Sequence, residues 1–208
     1  MEGSTPLHCA ATHGRDVVAM LLIENGAVVD ATAVDGSTPL HCAARARHAV
    51  VCKLLISKGA DVSAVTTMRR TVLVAAAVGG DAEVARVLIA NGADVSAADV
   101  FGGDALSYAA MDGHAGVIRL LLANGANVDS ANADGQTPLH WAATYGCLSV
   151  ARLLIEKSAN IVATDKYGDL PLSCAIRNQH HAIVRLLRRK STAPTRRSAR
   201  LNGGAVQE

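Results

Sequence analysis

The sequence predicts an all-α solenoid of stacked helix–turn–helix units with β-turn loops, and three observations predict it. The string Thr-Pro-Leu-His stands at Thr5–His8, Thr38–His41 and Thr137–His140, at offsets of 33 and 99 residues. Weaker copies at Thr71-Val72-Leu73-Val74, Asp104-Ala105-Leu106-Ser107 and Leu170-Pro171-Leu172-Ser173 fill the remaining steps, so the register holds six times with no insertion. Apolar pairs keep the same beat, from Ala10/Ala11 to Ala142/Ala143 and from Leu21/Leu22 to Leu186/Leu187. A fixed period of this length marks a stack in which each unit completes its neighbour's core.

Each unit reads from its start as follows. Thr before Pro opens a helix, because the hydroxyl can accept a free backbone N–H and Pro is tolerated at the first helical position. Leu7, Ala10 and Ala11 fall at i, i+3 and i+4, on one face of that short helix. The small Ala residues let a second helix lie close. Val18, Leu21 and Leu22 form the matching stripe on the second helix. Gly26, Gly59, Gly92 and Gly125 then supply a left-handed residue past the helix end, a place taken by Ser158 in the fifth unit. Asp35-Gly36 is a tight-turn pair at the tip of the extended loop that follows.

These residues resemble the ankyrin repeat family, whose period is 33 and whose signature is T-P-L-H-x-A. The resemblance covers roughly Glu2 to Lys190. It implies an elongated, curved stack of helix pairs with loops projecting to one side. It also implies a protein-binding module that uses the concave face made by loop tips and first helices. The His of the motif is expected to tie neighbouring loops together by hydrogen bonds. Residues 1–190 are read as one repeat domain, and residues 191–208 as a basic, disordered tail.

Departures from the pattern point to the face in use. Repeats three and four lose the helix-start Pro, becoming Val72 and Ala105. In repeat three the loop position held elsewhere by Gly36, Gly102, Gly135 and Gly168 is Arg69, flanked by Met68 and Arg70. That is either drift in a tolerant middle repeat or a binding patch that breaks local rules. Phe101 and Tyr167 share one loop-tip position, and Tyr108 and Trp141 share one first-helix position. No aromatic lies on a second helix. Aromatic residues and Arg are frequent interface anchors, although Tyr108 and Trp141 also suit packing within the stack. The positions matching the family's variable contacts are Met68, Arg70, Phe101, Met111, Asp112, Tyr145, Lys166 and Tyr167.

Repeat one carries the same seven residues as repeat two, so it reads as an internal unit. Its outer face is expected to continue into a longer array or to meet another surface. The last repeat is polar at Arg177-Asn178-Gln179-His180-His181, as a terminal cap should be, and its second helix ends in Arg188-Arg189-Lys190. Those cations favour the helix dipole. Seven Arg/Lys against one Glu follow from Arg185 onward, so a mildly acidic body precedes a basic end. The basic end resembles a two-part nuclear import signal, and Ser191 is a candidate phosphosite for a basophilic kinase. Nucleic-acid or chromatin association through the tail is a weaker alternative, since no aromatic interleaves the Arg residues.

Enzymatic chemistry is disfavoured. No H-E-x-x-H, Walker phosphate loop or G-x-S-x-G is present. Cys9, Cys42 and Cys174 share a repeat position, which makes them small packing residues. His180 and His181 are adjacent, about 100° apart on a helix, and do not face one metal together. No cofactor, metal ligand or catalytic residue is therefore assigned. The chain lacks an apolar run of the ~18 residues needed to span a bilayer. Its start has no signal-peptide pattern, and its five cysteines include no C-x-x-C pair. An intracellular, monomeric adaptor or scaffold for a protein partner is expected. The alternative is a regulatory segment of a larger enzyme, channel or ubiquitin-ligase assembly.

Overall fold

Every helix start read from the sequence begins a helix in the computed structural model, which describes residues 3–191. The first helices of the six units are α1 (Pro6–Thr12), α3 (Pro39–Arg45), α5 (Val72–Gly79), α7 (Ala105–Met111), α9 (Pro138–Thr144) and α11 (Pro171–Arg177). The second helices are α2 (Asp16–Glu24), α4 (Ala49–Ser57), α6 (Ala82–Ala90), α8 (Ala115–Ala123), α10 (Leu148–Glu156) and α12 (His181–Ser191). First helices pack on first helices and second on second, which gives two parallel layers. The core runs unbroken between them. Leu7, Leu40, Leu73, Leu106 and Leu139 are all fully buried, as are the Ala pairs from repeats two to five. No helix among the described residues is long and apolar enough to cross a membrane.

The motif His explains how each unit is fixed to the next. In repeat two, His41 Nδ1 lies 2.9 Å from the Thr38 hydroxyl and accepts from the Thr38 backbone N–H at 3.3 Å. Its other ring nitrogen then carries the proton and donates to the Arg70 carbonyl, 3.2 Å away in the next repeat. His8 and His140 do the same toward Ser37 and Asp169, at 2.9 and 3.1 Å. This arrangement requires a neutral ring, because protonating Nδ1 would remove the acceptor. Burial holds the His41 pKa below its usual 6.5, outweighing the pull of the Arg70 carbonyl. The unfolded chain therefore binds the proton more readily, and stability rises with pH. The contribution is complete above pH 6.5 and lost as pH falls below it. Urea unfolding is expected to show a lower midpoint at pH 5 than at pH 7.5, with a smaller difference in His41→Gln.

The loops form one edge of the stack. Only isolated antiparallel bridges, Val65 with Thr71 and Ala98 with Asp104, represent β structure among the described residues. The tips are chained instead by single hydrogen bonds between repeats. Thr67 N–H donates to the Asp35 carbonyl at 2.9 Å, Val100 to Met68 at 3.1 Å, Ala133 to Phe101 at 2.9 Å and Lys166 to Asp134 at 2.8 Å. Arg69 takes φ +59°, the left-handed conformation that Gly takes in the other tips. Arg69→Gly is expected to raise stability by about 0.5–1 kcal/mol in thermal unfolding, relief of strain being partly offset by chain entropy.

The two ends differ. Val18 is 47 % exposed, whereas Val51, Val84, Val117, Val150 and Ile183 at the same repeat position are at most 1 % exposed. Val17 and Leu21 add to the uncovered apolar face of repeat one. Cys9 is a correction to the reading of its position. It is exposed while Cys42 and Cys174 are buried, because among the described residues no helix pair packs on its outer side. At the other end Ser191 belongs to α12 rather than to a tail, and its hydroxyl donates to the Arg188 carbonyl at 2.9 Å. The rest of the tail read over 191–208, with Arg196 and Arg197, lies outside the described residues.

Candidate functional site

The loop tips and first helices of repeats three to five enclose a cavity of about 380 Å³ on one side of the stack. Of the predicted site residues, Arg70, Phe101, Met111 and Tyr145 line it. Phe101 and Tyr145 stand on its exposed rim, while Gly103 and Ser107 lie buried at its base. Tyr108 and Trp141, which suited either packing or an interface, pack against the core and also line the cavity. Each is half-buried and each contributes to the wall. Trp141 on α9 and Tyr145 at its C-cap stack one turn apart, with ring centroids 6.0 Å apart.

The remaining predicted residues sit around this centre. Met68 lines a neighbouring cavity of about 200 Å³ between repeats two and three, which shares Arg70. Lys166 forms an ion pair with Asp134, itself a wall residue, and its ammonium lies 5.0 Å from the Tyr167 ring centroid. The hydrogen bond to Asp134 raises the Lys166 pKa above its usual value, so the ammonium stays charged. Tyr167 is 69 % exposed, the most open aromatic on this face. Asp112 is exposed at the end of α7, and neither cavity includes it.

One residue that sequence reasoning missed organises the wall. Asp99 is buried, and its Oδ1 accepts from the backbone N–H of Phe101 and Gly103, both at 2.9 Å. Its Oδ2 accepts from the Tyr108 hydroxyl at 2.6 Å and from Arg70 Nε at 3.4 Å. Arg70 also donates to the Tyr108 oxygen at 3.0 Å and lies 5.2 Å over that ring. Burial alone would raise the Asp99 pKa. The bonds from Tyr108, Gly103, Phe101 and Arg70 outweigh it and hold the carboxyl below the ordinary value. Burial and the bond to Asp99 push the Tyr108 phenol up, so it keeps its proton. The ion pair thus fixes Arg70 and Tyr108 as a rigid polar shoulder beside the aromatic wall.

Four of the five thiols are poorly suited to nucleophilic chemistry. Burial pushes Cys52 up to about 12 and raises Cys42, Cys147 and Cys174. Each therefore remains a thiol at neutral pH, and the thiolate is the reactive form. What the arrangement offers is an aromatic-walled trough bordered by charges of both signs, Arg70 on Asp99 and Lys166 on Asp134.

Comparison with known proteins agrees with the architecture. The family model described as ankyrin repeats (3 copies) matches five overlapping stretches, 1–66, 23–99, 52–132, 72–165 and 106–198. No curated protein sequence matches the chain. Among solved structures, the crystal structure of the human ASB11 ankyrin repeat domain superposes with a TM-score of 0.85 at 30% identity, covering 93% of this chain and 86% of that one.

Proposed function

The chain belongs to the ankyrin repeat family, whose repeats are generally protein–protein interaction modules, and on that premise we propose that it is a non-catalytic adaptor or scaffold. It grips a protein partner on the concave face, centred on repeats three to six. The observation that carries this reading is the gathering of Arg70, Phe101, Met111 and Tyr145 around one cavity, beside an exposed Tyr167. Large exposed aromatics on one side of a rigid scaffold lose little entropy on binding and bury much area. The second-helix layer carries no aromatic residue. Affinity capture from cells with the triple variant Phe101→Ala/Tyr145→Ala/Tyr167→Ala is expected to lose the partners held by the natural chain at least about 10-fold, with the thermal midpoint nearly unchanged. Retention of every partner by a folded triple variant contradicts the assignment.

The uncovered face of repeat one supports a second reading, in which the array works inside a larger assembly whose neighbouring surface covers Val18 and Leu21. Val18→Glu/Leu21→Glu separates the two, because it disturbs that assembly and leaves the concave face intact.

A further inference from the structure

Beside the cavity, a ring that three other junctions carry is missing. At three junctions the motif His fills the space between a helix start and the carbonyl of the following repeat. His8 reaches Ser37 O, His41 reaches Arg70 O and His140 reaches Asp169 O, at 2.9, 3.2 and 3.1 Å. At the junction of repeats four and five the corresponding residues are Asp104, Ser107 and Gln136. Ser107 is too short to cross. Its backbone N–H is satisfied by Asp104 at 2.8 Å, but its buried hydroxyl has no hydrogen-bond partner. The Gln136 carbonyl accepts from the Asn132 backbone N–H at 3.1 Å and receives no ring N–H, as at Gly103 opposite Val74, whereas Ser37, Arg70 and Asp169 receive one in addition to a similar backbone bond. Ser107 and Gln136 both line the 380 Å³ cavity, with Tyr108 and Trp141 beside them.

We propose that this niche is the anchor pocket of the docking face and takes one planar side chain bearing a ring N–H, a histidine presented on a loop of the partner protein. The inference rests on the concave-face reading and names the residue that reading would engage. The chemistry is the one the chain itself displays three times: a neutral imidazole donates to a carbonyl of the following repeat and offers its second nitrogen to a hydroxyl. Here Ser107 supplies the hydroxyl and Gln136 the carbonyl. The aromatic wall suits a flat ring better than an aliphatic chain. An unpaired buried hydroxyl is costly, so a ligand that satisfies it gains on insertion.

Imidazole itself is the probe. Titrated at pH 7.5 into the full chain and followed by amide NMR, it is expected to shift Ser107, Gln136 and the Trp141 indole N–H saturably. N-methylimidazole, which has no N–H, is expected to bind at least threefold more weakly. Ser107→His fills the niche from within and is expected to abolish the shifts. Ser107→Val, which copies the Val74 of repeat three, removes the hydroxyl and is expected to weaken binding at least threefold, and it serves if the histidine variant fails to fold. Shifts that are absent, that do not saturate, or that persist equally with N-methylimidazole or in a folded Ser107 variant overturn the proposal. The titration involves no partner. A chain that loses partner capture on changing Phe101, Tyr145 and Tyr167 but ignores imidazole keeps the docking face and loses only the niche.

Discussion

Leu106→Ala is expected to destabilise the array by about 3 kcal/mol in equilibrium urea unfolding. Leu106 is fully buried in α7, which packs against α5 on one side and α9 on the other. Truncation removes contacts with both neighbours and leaves a cavity that rigid helix pairs close poorly. The comparison that gives this number meaning is Leu172→Ala. Leu172 holds the same place in repeat six but is only half-buried, because no unit follows it among the described residues. Its truncation is expected to cost about half as much. Equal losses at the two sites would mean that nearest-neighbour stacking does not set the stability.

Asp99→Ala is expected to cost about 2–4 kcal/mol and to loosen the docking face at the same time. The substitution orphans the N–H groups of Phe101 and Gly103 in the loop tip, and it releases Tyr108 and Arg70 from their shared acceptor. Asp99→Asn retains an oxygen for the loop tip and is expected to lose roughly 1 kcal/mol, since it removes the charge that Arg70 faces. Thermal unfolding gives the stability loss. The fluorescence of Trp141, which lines the cavity together with Tyr108, reports whether the wall has moved. A Trp141 spectrum unchanged in folded Asp99→Ala would show that the ion pair does not organise the wall.

The parts of the molecule that repeat were legible, because each beat has a local cause. Thr38 starts a helix, Ala43 and Ala44 admit a neighbour, and Ser158 takes φ +68° where the first four units have Gly. Two beats were overlooked. Thr66, Asp99, Asn132 and Asp165 stand 33 residues apart, and each accepts a backbone N–H of its own loop tip. His48, His114 and His180 recur every 66 residues and bond backward to the carbonyls of Thr12, Val78 and Thr144. The second set also explains a glycine. Gly80 takes φ +82°, and a Cβ there would come within 2.4 Å of the His114 ring.

The site was less legible because it depends on differences between repeats. Tyr108 and Trp141 hold equivalent places, yet one hydrogen-bonds to a carboxylate and the other stacks on Tyr145. The residue before each loop tip decides this, Asp99 in one repeat and Asn132 in the next. Arg70, Asp99 and Tyr108 come from two repeats, and their meeting depends on side-chain reach across a junction. The period fixes the backbone positions and leaves that reach open. Asp112 shows the converse, a residue at a contact position of the family that points into neither cavity.

The central claim is that one side of the stack docks a protein, and hydrogen exchange on the captured complex tests it most directly. Amide protection on binding is expected in the loop tips around residues 68–70, 101–103, 134–136 and 167–169 and in α7 and α9, with α6, α8 and α10 unchanged. Protection concentrated on those second helices, with the loop tips exchanging as in the free chain, would contradict it.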